Sequence, residues 1–461
     1  MVPATSGCKF HLQAARRPLL SPARPCLWMP RSAFQPRPGM ATVLRRCGKP
    51  WLAAAACLIL TPTLATASGY AIREQSSSFQ GLSFAGVAAG GRDISPMYFN
   101  PATLGLHEGQ QVHVGASYIL PSARFNDGSG TMPFTGAPLG GPLGGDVADD
   151  AVVPSVYGMV SAGNWRFGVG VTAPFGLRTE QPKDWIGRYH ATESELVTIN
   201  VNPVVAYRFD ERLTVALGFV AQYADATLGN AVRVPGVPAD FQSKITGSDW
   251  DFGYTLGVLT EPLPGTRLGL GYRSQINHSL TGTRRVTSPP GVPTPAVTGG
   301  RAALQTPQIA SLGLRQELGE RWSVLGTVEW TGWSTFERLV ITFEDGSPAN
   351  ITEQNWRDTW FFALGGEYRP RPDLALQASV AYDQSPNRDG FRTPRIPDAD
   401  RTWLSVGLDW APRDWLRLGG AYSRIFVADG RIDLQDTQRG DLQGRFENGV
   451  DILTLHATLR F

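Results

Sequence analysis

Apolar and polar side chains alternate along most of the chain after Val112, with the period of two that puts neighbouring residues on opposite faces of a β-strand. Near the end, Leu453, Leu455, Ala457 and Leu459 share one face, and the residues that alternate with them, Thr454, His456 and Thr458, are polar. The pattern predicts strands near residues 112–125, 151–162, 165–177, 196–209, 213–228, 248–260, 266–282, 306–318, 321–343, 356–369, 374–386, 402–411, 415–428 and 448–461. We therefore predict an all-β fold with fourteen strands.

The connections between these strands are alternately short and long. Gly163-Asn164 and Gly319-Glu320 are short turns, whereas residues 126–150 and 229–247 form long loops. Short periplasmic turns and long outer loops are typical of an antiparallel outer-membrane β-barrel, and an even strand count leaves both ends of the barrel on the periplasmic side. A soluble sandwich also alternates apolar and polar residues. The number and length of the strands favour the barrel, with apolar residues outside and polar residues inside.

Tryptophans lie close to both kinds of connection. Those beside short turns are Trp165, Trp322, Trp410 and Trp415, and those near long loops are Trp250, Trp356 and Trp360. Two such groups are expected where aromatic girdles meet the membrane interfaces. The alternative interpretation is a set of scattered core tryptophans.

Residues 68–111 precede the strands and have a different composition. They are rich in Gly, Ala and Ser and include aromatic residues, but they show no clear helical or strand period. Flexible linkers rarely contain so many aromatic and small apolar residues. We therefore expect this segment to be buried as a plug inside the barrel, which occupies residues 112–461.

Several motifs, in their order along the chain, resemble the FadL/TodX family of outer-membrane transporters. In the plug they are Gly69-Tyr70-Ala71, Glu74-Gln75-Ser76, Phe84-Ala85-Gly86 and Tyr98-Phe99-Asn100-Pro101-Ala102. In the barrel they are the segments 168–177, 185–190, 193–195, 200–207 and 330–334. The resemblance covers residues 68–461 and implies a plugged 14-stranded barrel in the bacterial outer membrane, where it takes up long-chain fatty acids or other hydrophobic molecules.

The first 67 residues are expected to be absent from the mature protein rather than to belong to its fold. Residues 40–67 have a basic start, an apolar run from Trp51 to Leu64, and the cleavage motif Ala65-Thr66-Ala67, as in a secretory signal peptide. Residues 1–39 precede Met40 and are interpreted as an over-extended gene start, with an organelle transit peptide as the alternative.

Charge and cysteine content change once this leader is removed. Subtracting its nine Lys and Arg residues from the total of 42 leaves 33 against 40 Asp and Glu, a formal charge of −7. This balance argues against a nucleic-acid partner. All four cysteines also lie before residue 68, so no disulfide framework or thiol chemistry is expected in the processed chain.

Catalytic and metal-binding motifs are not apparent. The six histidines are scattered, and no zinc-protease, nucleophile-elbow or phosphate-loop motif occurs. His456 faces the predicted lumen and would need a distant serine to form a hydrolase site. We predict no catalytic residues, no metal site, no cofactor and no enzymatic activity.

The resemblance implies a ligand path with named contacts. Apolar plug contacts would come from Phe79, Leu82, Phe84 and Phe99, and plain packing against the wall is the alternative for each. A kink in the third strand, with Pro174 near Phe175 and Gly176, would open a lateral gap, because Pro removes a ladder donor and Gly weakens a strand. An ordinary strand end is the alternative. The triplet Asn100, Pro101 and Ala102 is the plug motif.

The substrate stays open at this point. Fatty-acid transporters of the family place a basic residue near the outer end of the fifth strand, whereas here Asp225 lies in that region and Arg233 is the nearest basic residue. Long-chain fatty acids are therefore the first hypothesis and aromatic hydrocarbons or alkanes the second. A general porin or structural surface barrel is a further alternative. Expected partners are outer-membrane lipid, lipopolysaccharide and the machinery that assembles barrels.

Overall fold

The computed structural model describes residues 69–461. The predicted gene-start extension and signal peptide, together with Ser68, lie outside the described residues. Within them, no helix is long and apolar enough to cross a membrane.

The described chain is mostly β-sheet. Its strands are β1 Gln110–Gly130, β2 Ala151–Ala162, β3 Trp165–Thr172, β4 Gly176–Glu180, β5 Glu193–Arg208, β6 Leu213–Val232, β7 Phe241–Leu263, β8 Thr266–Arg273, β9 Ile276–Thr287, β10 Thr298–Thr306, β11 Ile309–Leu318, β12 Trp322–Thr331, β13 Arg338–Phe343, β14 Asn350–Glu353, β15 Thr359–Arg371, β16 Leu374–Asp383, β17 Arg401–Arg413, β18 Leu416–Val427, β19 Gly430–Leu434 and β20 Leu442–Arg460. The pairings are antiparallel, and β1 pairs with β20, which closes the sheet.

These segments form a closed barrel of 14 strands, as the sequence predicts. Four wall strands are each interrupted once, so each consists of two consecutive segments. These segments are β3 and β4, β8 and β9, β10 and β11, and β12 and β13. β14 and β19 pair within the outer loops, with β13 and β20 respectively. The outer ends of β1, β6, β7 and β20 extend well beyond the predicted limits, because residues assigned to loops continue the ladder.

The interruptions correct the predicted seventh and ninth strands, for which no break is predicted, whereas the break in the third strand lies where the sequence predicts a kink. β3 stops before Pro174, which has no backbone N–H to donate. Between β8 and β9, the Ser274 hydroxyl accepts a hydrogen bond from the Tyr254 backbone N–H at 2.9 Å, so a side chain replaces a ladder acceptor. Between β12 and β13, the chain forms a short 3-10 helix, Trp333–Thr335, that directs Trp333 inward.

Apolar side chains cover the outside of the barrel and polar side chains line the inside. On β7, Trp250, Phe252 and Leu256 are exposed. On β20, Leu455 is 73% exposed, whereas its neighbour Thr454 is only 1% exposed. This reversal of the usual soluble pattern is what a lipid-facing wall requires, and it confirms the predicted apolar-out, polar-in arrangement.

The aromatic girdles follow the prediction with one correction. Trp165, Trp322, Trp410 and Trp415 near the short turns, and Trp250 and Trp360 toward the long loops, are exposed on the outer wall. Trp356 does not join them, because it is only 3% exposed and packs inside the barrel against Trp333, with ring centroids 5.0 Å apart.

Residues 69–109 lie inside the barrel and are almost completely buried. They form four short 3-10 helices: η1 Ser77–Leu82, η2 Val87–Ala89, η3 Ser95–Tyr98 and η4 Pro101–Leu106. Side chains of η1 join this segment to the wall near the closure of β1 and β20. Ser77 Oγ lies 2.9 Å from His113 Nε2, and Gln80 donates to Ser423 Oγ at 2.7 Å.

Glycines in the wall give the plug backbone room to approach. A Cβ on Gly269 would lie 1.7 Å from the Ala88 carbonyl oxygen, and one on Gly271 would lie 1.8 Å from the Phe99 carbonyl oxygen. Both glycines belong to β8 and alternate with outward-facing leucines. The plug therefore packs directly on the strand backbone at this part of the wall.

Candidate ligand-binding site

An apolar cavity lies between the plug and the outer part of the wall. Its volume is about 90 Å³, and the surface that faces it is mostly apolar, although Glu195, Arg301 and Arg395 are among the lining residues. The residues around it are Tyr70, Leu177, Ser194, Glu195, Leu196, Ala226, Leu228, Ile245, Thr246, Gly247, Leu280, Gly282, Gly300, Arg301, Ala302, Leu304, Phe336, Leu339, Ile341, Gln354, Arg395 and Ile396. Plug, wall strands and an outer loop therefore all contribute to one site.

Tyr70 of the plug forms the aromatic floor of this cavity. Its ring centroid lies 4.7 Å from that of Trp333, 5.6 Å from Phe336 and 5.9 Å from Phe175. Its hydroxyl donates to the Gln305 carbonyl. Buried edge-to-face rings of this kind fix one another's orientation, so a ligand that fills the cavity must press on Tyr70 or displace it.

Arg395 reaches the same cavity from the outer loop between β16 and β17. Its guanidinium donates to the Glu193 carbonyl at 2.9 Å, to Ser194 Oγ at 3.0 Å and to the Gly229 carbonyl at 3.1 Å. Among residues 69–461, no carboxylate lies within ion-pairing distance of it. Burial, reinforced by the nearby charge of Arg439, lowers the pKa of Arg395 to about 9. The site thus holds a positive charge that lacks a counter-ion in the described chain.

A small polar chamber of about 20 Å³ lies beside the apolar cavity, and Arg395 lines both. His190 Nε2 lies 2.8 Å from the Gly440 carbonyl, and Arg439 donates to the Ile351 carbonyl at 3.0 Å. Burial lowers the pKa of His190 to about 4, so this imidazole is neutral near pH 7. A molecule crossing the chamber would meet polar groups, then Arg395, and then the apolar lining.

The wall is broken beside this cavity, at the kink predicted in the third strand. Pairing between β2 and β3 stops at Val171, and after the interruption β4 keeps the pairing with β5 but does not pair with β2. The first plug residues pair with the interrupted segment. Ile72 N–H donates to the Pro174 carbonyl at 2.7 Å, and Gly176 N–H donates to the Tyr70 carbonyl at 2.8 Å. The chain that forms the cavity floor therefore also pairs with the interruption.

The predicted plug contacts lie together, but deeper than the apolar cavity. Phe79, Leu82, Phe84 and Phe99 are buried in one cluster that includes wall residues. The Phe84 ring lies 5.6 Å from Phe99 and 6.2 Å from Trp403 of β17. Phe99 and Phe175 line a second cavity of about 30 Å³. The proposed contact of these residues with ligand stays a prediction.

The plug motif has a clear local role. Asn100 Oδ1 accepts from the Ala102 backbone N–H at 3.0 Å, which caps η4. Its Nδ2 donates to the Ala88 carbonyl at 2.7 Å and to the Val258 carbonyl of β7 at 3.0 Å. Pro101 occupies the first helical position, where its missing N–H is not needed. The motif therefore joins two plug helices to the wall.

Arg233 lies just beyond β6, near Asp240, with an Nη1–Oδ1 distance of 3.5 Å. Asp240 is also 2.9 Å from Arg188. Arg233 is not among the residues lining the apolar cavity, and its proposed ligand role stays a prediction. Sequence reasoning missed Arg395 because only the folding of the loop after β16 brings this residue inward, far in sequence from β5 and β6.

Metal chemistry has no visible basis in the described part of the chain. No group of three or more His, Cys, Asp or Glu side chains within residues 69–461 is placed to hold a metal ion.

Comparison with known proteins identifies the family. Residues 58–461 match the model of the family described as outer membrane protein transport protein (OMPP1/FadL/TodX). The long-chain fatty acid transport protein of Escherichia coli O6:H1 is 28% identical over 394 residues, covering 78% of this chain and 87% of that protein. Outer membrane protein P1 of Haemophilus influenzae is 29% identical over 411 residues, covering 80% of this chain and 88% of that protein.

Solved structures agree in fold. The crystal structure of a Pseudomonas aeruginosa FadL homologue aligns with a TM-score of 0.79 at 23% identity, covering 85% of this chain and 100% of that one. The Ralstonia pickettii toluene transporter TbuX aligns with a TM-score of 0.63 at 20% identity, covering 86% of this chain and 99% of that one. Taken with the family match, the plugged barrel means that this chain belongs to the OMPP1/FadL/TodX family of outer-membrane proteins, as a transporter of hydrophobic molecules and not an enzyme.

Proposed function

We propose that this protein takes up long-chain fatty acids, with the hydrocarbon tail in the apolar cavity and the carboxylate on Arg395. The observation that supports this most directly is a positive charge without a counter-ion, at the boundary between a polar chamber and an apolar cavity. An amphiphile with one anionic end complements both sides of that boundary. Relatives named as long-chain fatty acid transport proteins agree with this choice.

The energetics favour an amphiphile over a small anion. Each buried methylene contributes about 0.8 kcal/mol, so a tail of several methylenes supplies most of the affinity. A charge-assisted hydrogen bond from a guanidinium to a carboxylate adds to this and fixes the orientation of the ligand. The cavity of about 90 Å³ is smaller than ordinary ligand pockets of roughly 300–1,000 Å³. Binding therefore requires the cavity to widen.

Tyr70 is the part of the lining whose movement would widen the cavity. Its backbone carbonyl accepts from Gly176, so displacing Tyr70 strains the contact between the plug and the interrupted wall. In our proposal, a tail that enters the cavity loosens this contact, and the ligand then leaves sideways between β2 and β4 into the membrane. A ligand can shift such an equilibrium only if it binds the open arrangement better than the closed one.

Uptake of neutral hydrocarbons is the second candidate. The surface that faces the cavity is mostly apolar, and a structural neighbour is a toluene transporter. Three protein oxygens already accept hydrogen bonds from Arg395, so the charge could serve the loop alone. In that case a ligand would need no anionic group.

Binding to purified protein separates the two candidates. We expect Arg395→Gln to weaken binding of a fluorescent long-chain fatty acid about tenfold or more, the scale of one charged hydrogen bond. Toluene binding should not change. Arg233→Gln is the matched control, because Arg233 has Asp240 as its partner and lies outside the cavity lining. Undiminished fatty-acid binding by Arg395→Gln would contradict the proposal, and selective loss in Arg233→Gln would restore Arg233 as the anion contact.

Two further partners are part of the proposal. The exposed aromatic and aliphatic wall residues would contact outer-membrane lipid and lipopolysaccharide. The apolar alternation of β20, which ends in the exposed Phe461, would be recognised by the machinery that inserts barrels. Truncating Phe461 should therefore reduce the amount of protein in the outer membrane while leaving its synthesis unchanged.

A further inference from the structure

A much larger cavity opens at the opposite end of the barrel. It has a volume of about 760 Å³. Its lining includes the turn residues Glu320 and Pro370, which lie in short connections, and short connections face the periplasm in outer-membrane barrels. Unlike the apolar cavity, it is dominated by guanidinium groups. Six arginines line it: Arg92, Arg321, Arg369, Arg371, Arg417 and Arg460.

The carboxylates paired with these arginines do not line the cavity; two are buried behind it, whereas Glu317 and Asp373, the partners of Arg369 and Arg371, are partly exposed. Arg92 Nη2 is 2.9 Å from Glu367 Oε1, and Arg417 Nη1 is 2.5 Å from Asp409 Oδ1. Glu367 and Asp409 are buried in the wall and are not among the lining residues. The face turned toward the cavity is therefore positive, even though the surrounding wall is close to electrically balanced.

The carboxylates that do line the cavity offer little compensation. Glu108 already contacts Arg166, and its Oε1 lies 3.0 Å from Arg208 Nη1, so two arginines outside the cavity hold it. Glu320 is the other acidic lining residue in the described chain. Within residues 69–461, neither Arg321 nor Arg460 has a carboxylate within 4.0 Å.

Within residues 69–461, the Nε atoms of Arg369, Arg417 and Arg460 have no hydrogen-bond partner. These atoms are shielded by the surrounding protein, so an oxyanion in the cavity would be bound by the terminal nitrogens of the guanidinium groups that line it. Guanidinium groups present paired N–H donors that match the oxygens of carboxylate and phosphate.

We propose that this periplasmic cavity is a binding site for small oxyanions, with Arg321, Arg460 and Arg92 as its main donors. The site is separate from the apolar cavity and is not needed for fatty-acid capture. It touches the plug directly, because Arg92 belongs to the plug and its carbonyl accepts a hydrogen bond from Arg460. A bound oxyanion would compete with Glu367 for Arg92 and would thereby connect the periplasmic solution with the base of the plug.

The test is equilibrium binding of inorganic phosphate to the full-length processed protein in detergent, measured by calorimetry at constant ionic strength with chloride as the balancing anion. We expect saturable binding that weakens about tenfold in Arg460→Gln, since one charged hydrogen-bond donor is lost. Binding should also weaken as ionic strength rises, because an open site is screened. Arg413→Gln is the matched control, since its side chain donates to the carbonyl of its own neighbour Pro412 and does not line the cavity.

Two additions keep the outcome decisive. Arg321→Gln, at an exposed turn position, serves if Arg460→Gln does not fold, and it should weaken binding by a similar factor. Acetate in place of phosphate separates a carboxylate ligand from a phosphate one, and saturable binding of either anion supports the site. Absence of saturable binding of both anions, or equal binding by wild type and both cavity variants, would overturn the proposal.

Discussion

Individual glycines decide how closely the plug and the wall approach each other. Gly257 of β7 and Gly313 of β11 add to the pair on β8, since a Cβ at these positions would lie 2.2 Å from Asn100 Oδ1 and 2.6 Å from the Ala89 nitrogen. Three neighbouring wall strands therefore lack side chains where η2 and the start of η4 pack. The alternation of leucine and glycine in β8 shows a strand in the sequence, but it does not show that backbone will pack there.

Gly271→Ala should loosen the plug without preventing the barrel from forming. The new methyl group would overlap the Phe99 carbonyl, and overpacking of this kind costs about 1–3 kcal/mol. We expect ion conductance in planar bilayers to rise above the wild-type level as the plug shifts. Gly326→Ala is the control, because its nearest non-neighbouring atom, the Ala363 carbonyl oxygen, would be 3.8 Å away. Equal conductance of both variants would mean that Gly271 does not determine the position of the plug in the barrel.

Basic residues show where sequence reasoning reaches its limit. The nearness of Arg233 in sequence to the fifth strand predicts an anion contact there, and this role stays a prediction; in the structure Arg233 lies near Asp240. Arg395 lines the cavity because its loop crosses to the carbonyls of Glu193 and Gly229. Such contacts depend on the path of a long loop. The alternation of apolar and polar residues predicts strands, but it does not predict the path of a loop.

At the scale of elements, the strands could be predicted from the sequence, but only one of their interruptions could. A period of two survives in each strand because one face meets lipid and the other meets the lumen. Pro174 marked the break in the third strand, since proline cannot donate to a ladder. The break at Ser274 had no such signal, because a serine hydroxyl that replaces a backbone acceptor looks like any polar residue in an alternating strand.

The outer loops should respond to acid through His190. Burial lowers the pKa of His190 to about 4 from its ordinary value of 6.5, so this side chain is neutral in the folded loop and resists protonation. The stability it contributes is present above pH 6.5 and is lost as the pH falls toward 4, by up to roughly 1–2 kcal/mol given its partial exposure. We expect the hydrogen-exchange protection factors of residues 178–195 and 429–447, which are corrected for the intrinsic pH dependence of exchange, to fall over that range.

The matched variant for this prediction is His190→Gln, which keeps an amide donor for the Gly440 carbonyl but does not titrate. The protection factors of its loops should be nearly the same at pH 7 and pH 5. If the protection factors of wild type and variant changed equally between pH 7 and pH 5, a group other than His190 would be responsible for the loosening of the loops.

At the scale of the whole molecule, the pairing between plug and wall can be tested by cross-linking. Ala71 and Phe175 face each other in an antiparallel bridge, and the flanking hydrogen bonds make them a non-hydrogen-bonded pair, whose Cα atoms are typically about 4.5 Å apart. That spacing suits a disulfide. Because residues 69–461 contain no cysteine, Ala71→Cys combined with Phe175→Cys can form only this cross-link within the barrel.

We expect the oxidised double variant to bind fatty acid but to fail in uptake, because the interruption beside β4 cannot open. Reduction should restore uptake in the same protein, so the reduced form is its own control for the loss of the Phe175 ring. Fatty-acid uptake by cells that express each form is the measurement. Full uptake while the cross-link is intact would show that the ligand leaves by another route.

The contacts of η1 near the closure of β1 and β20 constrain the order of assembly. A Cβ on Gly115 would lie 2.0 Å from Ser77 Oγ, so the first strand is built tightly over the plug, and β18 holds Gln80 beside it. A segment seated so closely has no room to thread into a finished cylinder. We therefore expect the N-terminal residues to be in place when the last strand meets the first, so that the barrel closes and the channel is sealed in one step.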